Sequence, residues 1–269
     1  LVDAGDERRL ERFGARVVDR PAPSAIAGRR AASVAWANAD LRFDRDAGWM
    51  GDPTPWTIDL EGLTLELRPT SAGQVGLFPE HPLLWPRLQD ALDEMRVPGT
   101  VPSVLHLFAS TGATSLELAR SGASVVHVDA SRPAVAWARR NATLSGLADR
   151  PVRWIVDDAL EFVRREERRG RRYDGIVLDP PTWGHGPAGS RWQLRTTLPE
   201  LLDAVASVAA DRAVVVLTAH AAGLDPDDLA GALADAFPGP NAIAAEPLAL
   251  TATSGAVLPL GSAARMIRG

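Results

Sequence analysis

The sequence predicts an α/β protein built on a doubly wound, mostly parallel sheet with a closing antiparallel strand, preceded by a small, mostly-β N-terminal domain. Three observations carry this reading. From Ser103 onward, short apolar runs alternate with helical stretches; residues 1–70 show turn chemistry and no sustained helical period; and two strand-like runs near the end flank one tight turn.

Residues 1–75 read as the small domain. Pro21, Pro23, Gly28, Gly48, Gly51, Pro53, Pro55 and Gly62 punctuate the segment, and Trp56 to Leu67 alternates apolar and polar residues on both sides of Glu61-Gly62, as a β-hairpin does. Residues 76–269 read as the larger, α/β domain. It opens with a joining helix, 82–96, whose Leu84, Leu88, Ala91, Leu92 and Met95 share one face and which Pro98-Gly99 ends. Strands then fall at Val104–Phe108, Ser124–Val128, Val152–Val156, Gly175–Leu178 and Ala213–Thr218. Helices separate them at Ser115–Arg120, Pro133–Leu144, Ala159–Arg168 and Leu198–Ala209. That rhythm is a parallel sheet covered on both faces. A helix near Asp227–Ala236 precedes an antiparallel pair, Ile243–Thr251 and Ala256–Ile267, joined by Thr253-Ser254-Gly255.

Composition removes several functions. The absence of cysteine excludes disulfides, thiolate metal sites and a cysteine nucleophile. All 29 basic residues are arginine, and a net charge of −5 argues against a protein that binds nucleic acid over its whole surface. No apolar run is long enough to span a bilayer, and Asp3, Asp6 and Glu7 are unlike a signal peptide, so a cytoplasmic protein without a membrane partner is expected.

In an open parallel sheet, ligands bind beyond the carboxyl ends of the strands, where strand order reverses. The first strand runs into Phe108-Ala109-Ser110-Thr111-Gly112-Ala113, whose small side chains let backbone N–H groups approach a ligand. An ordinary βα turn is the plainer alternative. The second strand ends at Asp129-Ala130-Ser131, seventeen residues after Gly112, and a carboxylate there suits ribose hydroxyls. The third ends at Asp157-Asp158-Ala159, where a carboxylate can take an adenine amino group or simply cap a helix. A dinucleotide fingerprint needs three spaced glycines and this loop has Gly112 alone, which favours a cofactor without pyrophosphate, S-adenosylmethionine. The fourth strand ends in Asp179-Pro180-Pro181-Thr182-Trp183, a stiff corner with outward carbonyls beside an acceptor, suited to aligning an amine for in-line displacement.

These residues resemble the class I S-adenosylmethionine-dependent methyltransferases, in the group similar to bacterial large-subunit ribosomal RNA methyltransferases. The strings VLHLFASTGATSLELARSGASVVHVDAS, WIVDDALEFVRREERRGRRYDGIVLDPPTWGHG and GLFPEHPLLW carry the likeness, from Gly76 to Arg195. GDERRLERFG looks like members with a small β domain in place of an RNA-binding PUA module. The resemblance implies a Rossmann-like methyltransferase sheet and S-adenosylmethionine as cofactor. Phe78, Phe108 to Ala113, Asp129 to Ser131 and Asp157 to Ala159 would bind it, and Asp179, Pro180, Pro181 and Trp183 would act at the transferred methyl. No metal is expected. Ser110-Thr111 and Glu80-His81 depart from the usual pattern.

Trp183, Trp192 and His185 follow the corner and suit stacking on a base or packing of a loop; Arg191 and Arg195 suit an anionic substrate. His106 and His127 sit inside strands and read as core, His220 follows the fifth strand, and the arginines between 164 and 172 read as a solvated helix end. The expected acceptor is an RNA base; a small molecule, or cofactor binding without turnover, are the alternatives. Several relatives methylate carbon 5 of cytosine through a cysteine, a route closed to a chain without one, so nitrogen is expected first and oxygen second.

Overall fold

A computed structural model describes residues 1–185, 191–221 and 223–269, excepting the His185 and Arg191 side chains. The chain falls into two compact units: Leu1–Glu80 with Leu248–Leu260, and His81–Pro247 with Gly261–Gly269.

The first unit holds a five-stranded sheet, β1 (Asp3–Gly5), β2 (Arg8–Phe13), β3 (Arg16–Pro21), β4 (Leu41–Asp44) and β5 (Gly48–Gly51), paired in that order, with one short helix, α1 (Ser33–Ala37). β6 (Trp56–Leu60) and β7 (Leu63–Leu67) form the expected hairpin. Its two turn residues, Glu61 and Gly62, have φ of 51° and 84°, the left-handed pair that matches strand twist. Charges are buried in this sheet as partners: Arg20 donates to both carboxylate oxygens of Glu11, at 2.6 and 3.2 Å, and to Gln74. The tip of the final hairpin belongs to this unit. Its Ala252, Ala256 and Leu258 pack with Ala4, Ala22 and Ala25, and Ser254 Oγ donates to Asp3.

The second unit starts with a 3-10 turn, His81–Leu84, and α2 (Trp85–Met95), where the periodicity predicts one continuous helix. It continues β8 (Ser103–Leu107), α3 (Ala113–Arg120), β9 (Ser124–Asp129), α4 (Arg132–Leu144), β10 (Val152–Val156), α5 (Ala159–Arg168) and β11 (Tyr173–Leu178). A short antiparallel arm, β12 (Trp183–His185) and β13 (Arg191–Gln193), precedes α6 (Leu194–Val208), β14 (Ala209–Ala219), α7 (Pro226–Ala236), β15 (Ala242–Thr251) and β16 (Val257–Arg268).

Among the described residues the large sheet runs β10-β9-β8-β11-β14-β16-β15, with β8, β9, β10, β11 and β14 parallel and β16 antiparallel to β14. The β-branched and leucine-rich strands bury both faces: Leu105, Leu107, Ile176, Val215 and Leu217 lie under α5 and α6, and Val104, Val125, Val177 and Val214 under α2 and α3. Sequential order breaks between β8 and β11, which places the switch point at their carboxyl ends. Ser131, Asp158 and Asp225 cap α4, α5 and α7 with their side chains. No helix among the described residues is long and apolar enough to cross a membrane.

Candidate active site

The β8–α3 loop is held in an unusual backbone shape. Phe108, Ser110 and Gly112 have φ of 56°, 49° and 87°, so three of five consecutive residues are left-handed. Non-glycine residues persist there only when their surroundings impose it. Those surroundings are visible: Ser110 N–H donates to Asp129 Oδ2 at 2.8 Å, Ala109 N–H to the Val128 carbonyl, and the buried Asn141 amide to the Thr111 carbonyl at 2.9 Å. Ala113 opens α3, and Trp85 Nε1 donates to Thr114 in its first turn. A Cβ on Gly112 would stand 2.8 Å from Ala138 Cβ, so the position excludes a side chain twice over, by φ and by space.

Asp129 ends β9 with a second backbone donor, Ser131 N–H, 2.8 Å from its Oδ1. Burial pushes its carboxyl up, against these two hydrogen bonds. Ala130 and Ser131 are exposed beside it. At the next strand end, Asp157 pairs with Arg165 and accepts the Asp158 N–H, while Asp158 caps α5 through the Glu161 N–H, with Ala159 buried behind it. The capping role weighed from the sequence is therefore present. Phe78 is half-buried in the first unit.

Beyond β11 the corner carries a cluster that the motif alone does not reveal. Asp179 Oδ1 accepts Thr218 Oγ1–H at 2.5 Å and faces His220 Nε2 at 3.0 Å, and its Oδ2 lies 3.1 Å from His81 Nε2. Burial alone would raise this carboxyl; the His81 charge and the hydrogen bonds from His220 and His81 outweigh it and hold it well below the usual carboxylate range. Both oxygens are engaged within the protein. His81 sits in the turn before α2 and His220 one residue past β14, far apart in sequence, so only the parallel topology brings them together.

The arm leaves the same corner. Trp192 Nε1 donates to the Pro181 carbonyl at 2.6 Å, Leu194 N–H donates to Thr182, and the Trp192 ring lies 5.1 Å from Phe108 across an angle of 53°. Trp183 is 67% exposed, a large aromatic left facing solvent. Arg195 donates to the Gly223 carbonyl. The side chains of His185 and Arg191 lie outside the described residues.

A S-adenosylmethionine-dependent methyltransferase of known structure from Agrobacterium tumefaciens is 33% identical to this chain, with a TM-score of 0.92 over 100% of this chain and 90% of that one. The chain belongs to the class I S-adenosylmethionine-dependent methyltransferases. Residues 89–187 of this family member also match the family described as Conserved hypothetical protein 95. The "Ribosomal RNA large subunit methyltransferase K/L" of Shewanella baltica is 34% identical over 125 residues, 46% of this chain but only 16% of that protein's length. A structure from Streptococcus mutans, 15% identical, shares the fold with a TM-score of 0.77 over 98% of this chain and 73% of its own.

Proposed function

We propose that this protein transfers a methyl group from S-adenosylmethionine to a nitrogen of an RNA base. The observation that carries the cofactor assignment is the strained β8–α3 loop tied to Asp129, at the switch point of a sheet whose first loop lacks a pyrophosphate fingerprint. The residues fit the group. Backbone at Phe108 to Ala113 turns through left-handed residues that leave small side chains beside the strand end, and a part-buried carboxylate at 129, with further lone pairs, suits a diol. Asp157 to Ala159 would flank the adenine. Bound there, the cofactor supplies an electrophilic methyl on a sulfonium.

The chain's own contribution to the transfer is alignment. Pro180 and Pro181 stiffen the turn out of β11, and the Trp192 hydrogen bond to Pro181 fixes the arm on it, so an acceptor meets an ordered corner. Trp183 and Trp192 would stack on a flat acceptor, and Arg195 would meet its phosphates. The curated Shewanella relative, named for ribosomal RNA, supports RNA as the acceptor class. A protein in the cytoplasm, acting on RNA and without a membrane partner, follows from this reading.

Incubating the protein with unmodified, transcribed large-subunit ribosomal RNA and isotopically labelled methyl donor, then digesting the RNA for mass spectrometry, tests it. Label on a base nitrogen is expected. Label recovered as 5-methylcytosine contradicts the nitrogen assignment, and no label on RNA contradicts RNA as the acceptor.

A further inference from the structure

The end of α5 carries more positive charge at its surface than its sequence suggests. Residues 164–174 hold six arginines and three acids, Glu166, Glu167 and Asp174. Two of the acids turn inward. Glu166 is 1% exposed, accepts the Tyr173 hydroxyl on Oε2 at 2.6 Å and pairs through Oε1 with Arg169 at 2.7 Å. Asp174 Oδ2 accepts the Ser103 N–H at 2.8 Å. Glu167 is left as the exposed acid of the segment.

The arginines divide differently. Arg164 pairs with Glu161 and Glu200, and Arg165 with Asp157. Arg168, Arg171 and Arg172 are exposed, and among the described residues none of the three has a carboxylate within ion-pair distance. A neighbouring element adds Arg153, exposed on β10, the outermost strand of the large sheet. Burial alone would raise the Glu166 carboxyl; the Tyr173 hydroxyl, Arg169 and Arg153 outweigh it and hold it below the usual carboxylate range. Tyr173 is pushed up by burial and by Glu166, with Arg153 and Arg171 opposing. Guanidiniums from β10, the end of α5 and the loop after it therefore lie around one buried Tyr173–Glu166 pair.

A guanidinium offers a planar fork that matches two phosphate oxygens, and a nucleic-acid strand presents one such charge per nucleotide. Five arginines with one exposed acid among them suit that backbone. They do not suit the reacting base. Arg172 precedes and Asp179 follows β11, whose six residues span about 20 Å. RNA on this patch must extend well past the corner where the methyl is transferred.

We propose that Arg153, Arg168, Arg169, Arg171 and Arg172 form a second RNA contact, which grips the phosphate backbone of a folded acceptor at a distance from the methylated base. This rests on RNA as the acceptor class and adds where that RNA is held. Such a contact carries no sequence information; it fixes the orientation in which the acceptor is presented.

Two variants of the full chain with equal charge loss separate the patch from net charge. One is Arg168→Gln with Arg171→Gln and Arg172→Gln; the other is Arg12→Gln with Arg45→Gln and Arg96→Gln, at exposed positions outside the patch. Fluorescence anisotropy with a labelled RNA duplex over a salt series gives the readout. Wild type and the outside variant should bind alike, with affinity falling steeply as salt rises. The patch variant should bind at least about tenfold more weakly at low salt. Its slope of log K against log salt should shrink by about two to three, roughly one for each guanidinium removed. In all three proteins the Kd for S-adenosylhomocysteine should agree within about twofold, the range of an intact cofactor site. A patch variant that binds RNA like the outside variant, while the wild type still transfers labelled methyl to transcribed ribosomal RNA, overturns the patch alone. Stronger competition by polyglutamate than by unlabelled duplex also overturns it, since the patch then fits an acidic protein. Absence of methyl label on RNA from the wild type overturns both the patch and the RNA reading.

Discussion

His106 and His127 show what burial does to a side chain whose chemistry is not used. They stand side by side on β8 and β9 and share one hydroxyl: Ser115 Oγ lies 2.7 Å from His106 Nδ1 and 2.9 Å from His127 Nδ1. A hydroxyl with one proton satisfies both rings if one imidazole donates and the other accepts. Burial pushes His106 down to about 3 and His127 well below its usual value, so both are neutral in the fold. The unfolded chain protonates these rings near pH 6.5 and the folded one does not until much lower, so stability is full above pH 6.5 and declines as pH falls toward 3. Each ring adds up to about 1.4 kcal/mol per pH unit in that window. Urea midpoints at pH 7.5, 6 and 5 should show this slope, and His127→Gln should flatten it even where the variant is less stable overall. An identical slope in the variant would remove His127 as its source.

At the scale of elements, the β8–α3 loop is where local sequence preference and fold disagree, and the disagreement falls at the proposed cofactor site. Gly112→Ala places a side chain at φ 87° and 2.8 Å from Ala138 Cβ. The left-handed conformation alone costs about 1–2 kcal/mol, so chemical denaturation should register a loss of at least that size. A loss under about 0.5 kcal/mol, the range of ordinary surface substitutions, would mean that the loop relaxes freely. This loop, the strands around it and the α5 cap were legible from the sequence because each rests on nearby residues: alternation, a strand end, a small-residue turn. The arm of β12 and β13 was not, since Trp183 to Gln193 contains too short a strand pattern to outweigh its turn residues. His81 was noticed only as a departure from a motif and His220 only as the residue after a strand. Their meeting at Asp179 depends on where α2 and β14 lie in three dimensions. Nor does a strand pattern show that residues 248–260, the tip of the last hairpin, pack with the first unit.

For the whole molecule, every proposed cofactor residue of the second unit lies at or just beyond the carboxyl end of β8, β9 or β10, and the proposed transfer residues follow β11, on one edge of one sheet. That edge is where a doubly wound fold collects function, though the fold alone does not choose the ligand. The choice comes from one glycine rather than three in the first loop and from the Asp129 carboxylate beside it. Titration calorimetry of the purified chain with S-adenosylmethionine, S-adenosylhomocysteine and NAD addresses this most directly. The account predicts binding of the first two in mutual competition, with Asp129→Ala weakening both by about 1–3 kcal/mol, the cost of leaving polar partners unsatisfied. NAD binding of comparable strength, or S-adenosylmethionine binding indifferent to Asp129→Ala, would contradict it.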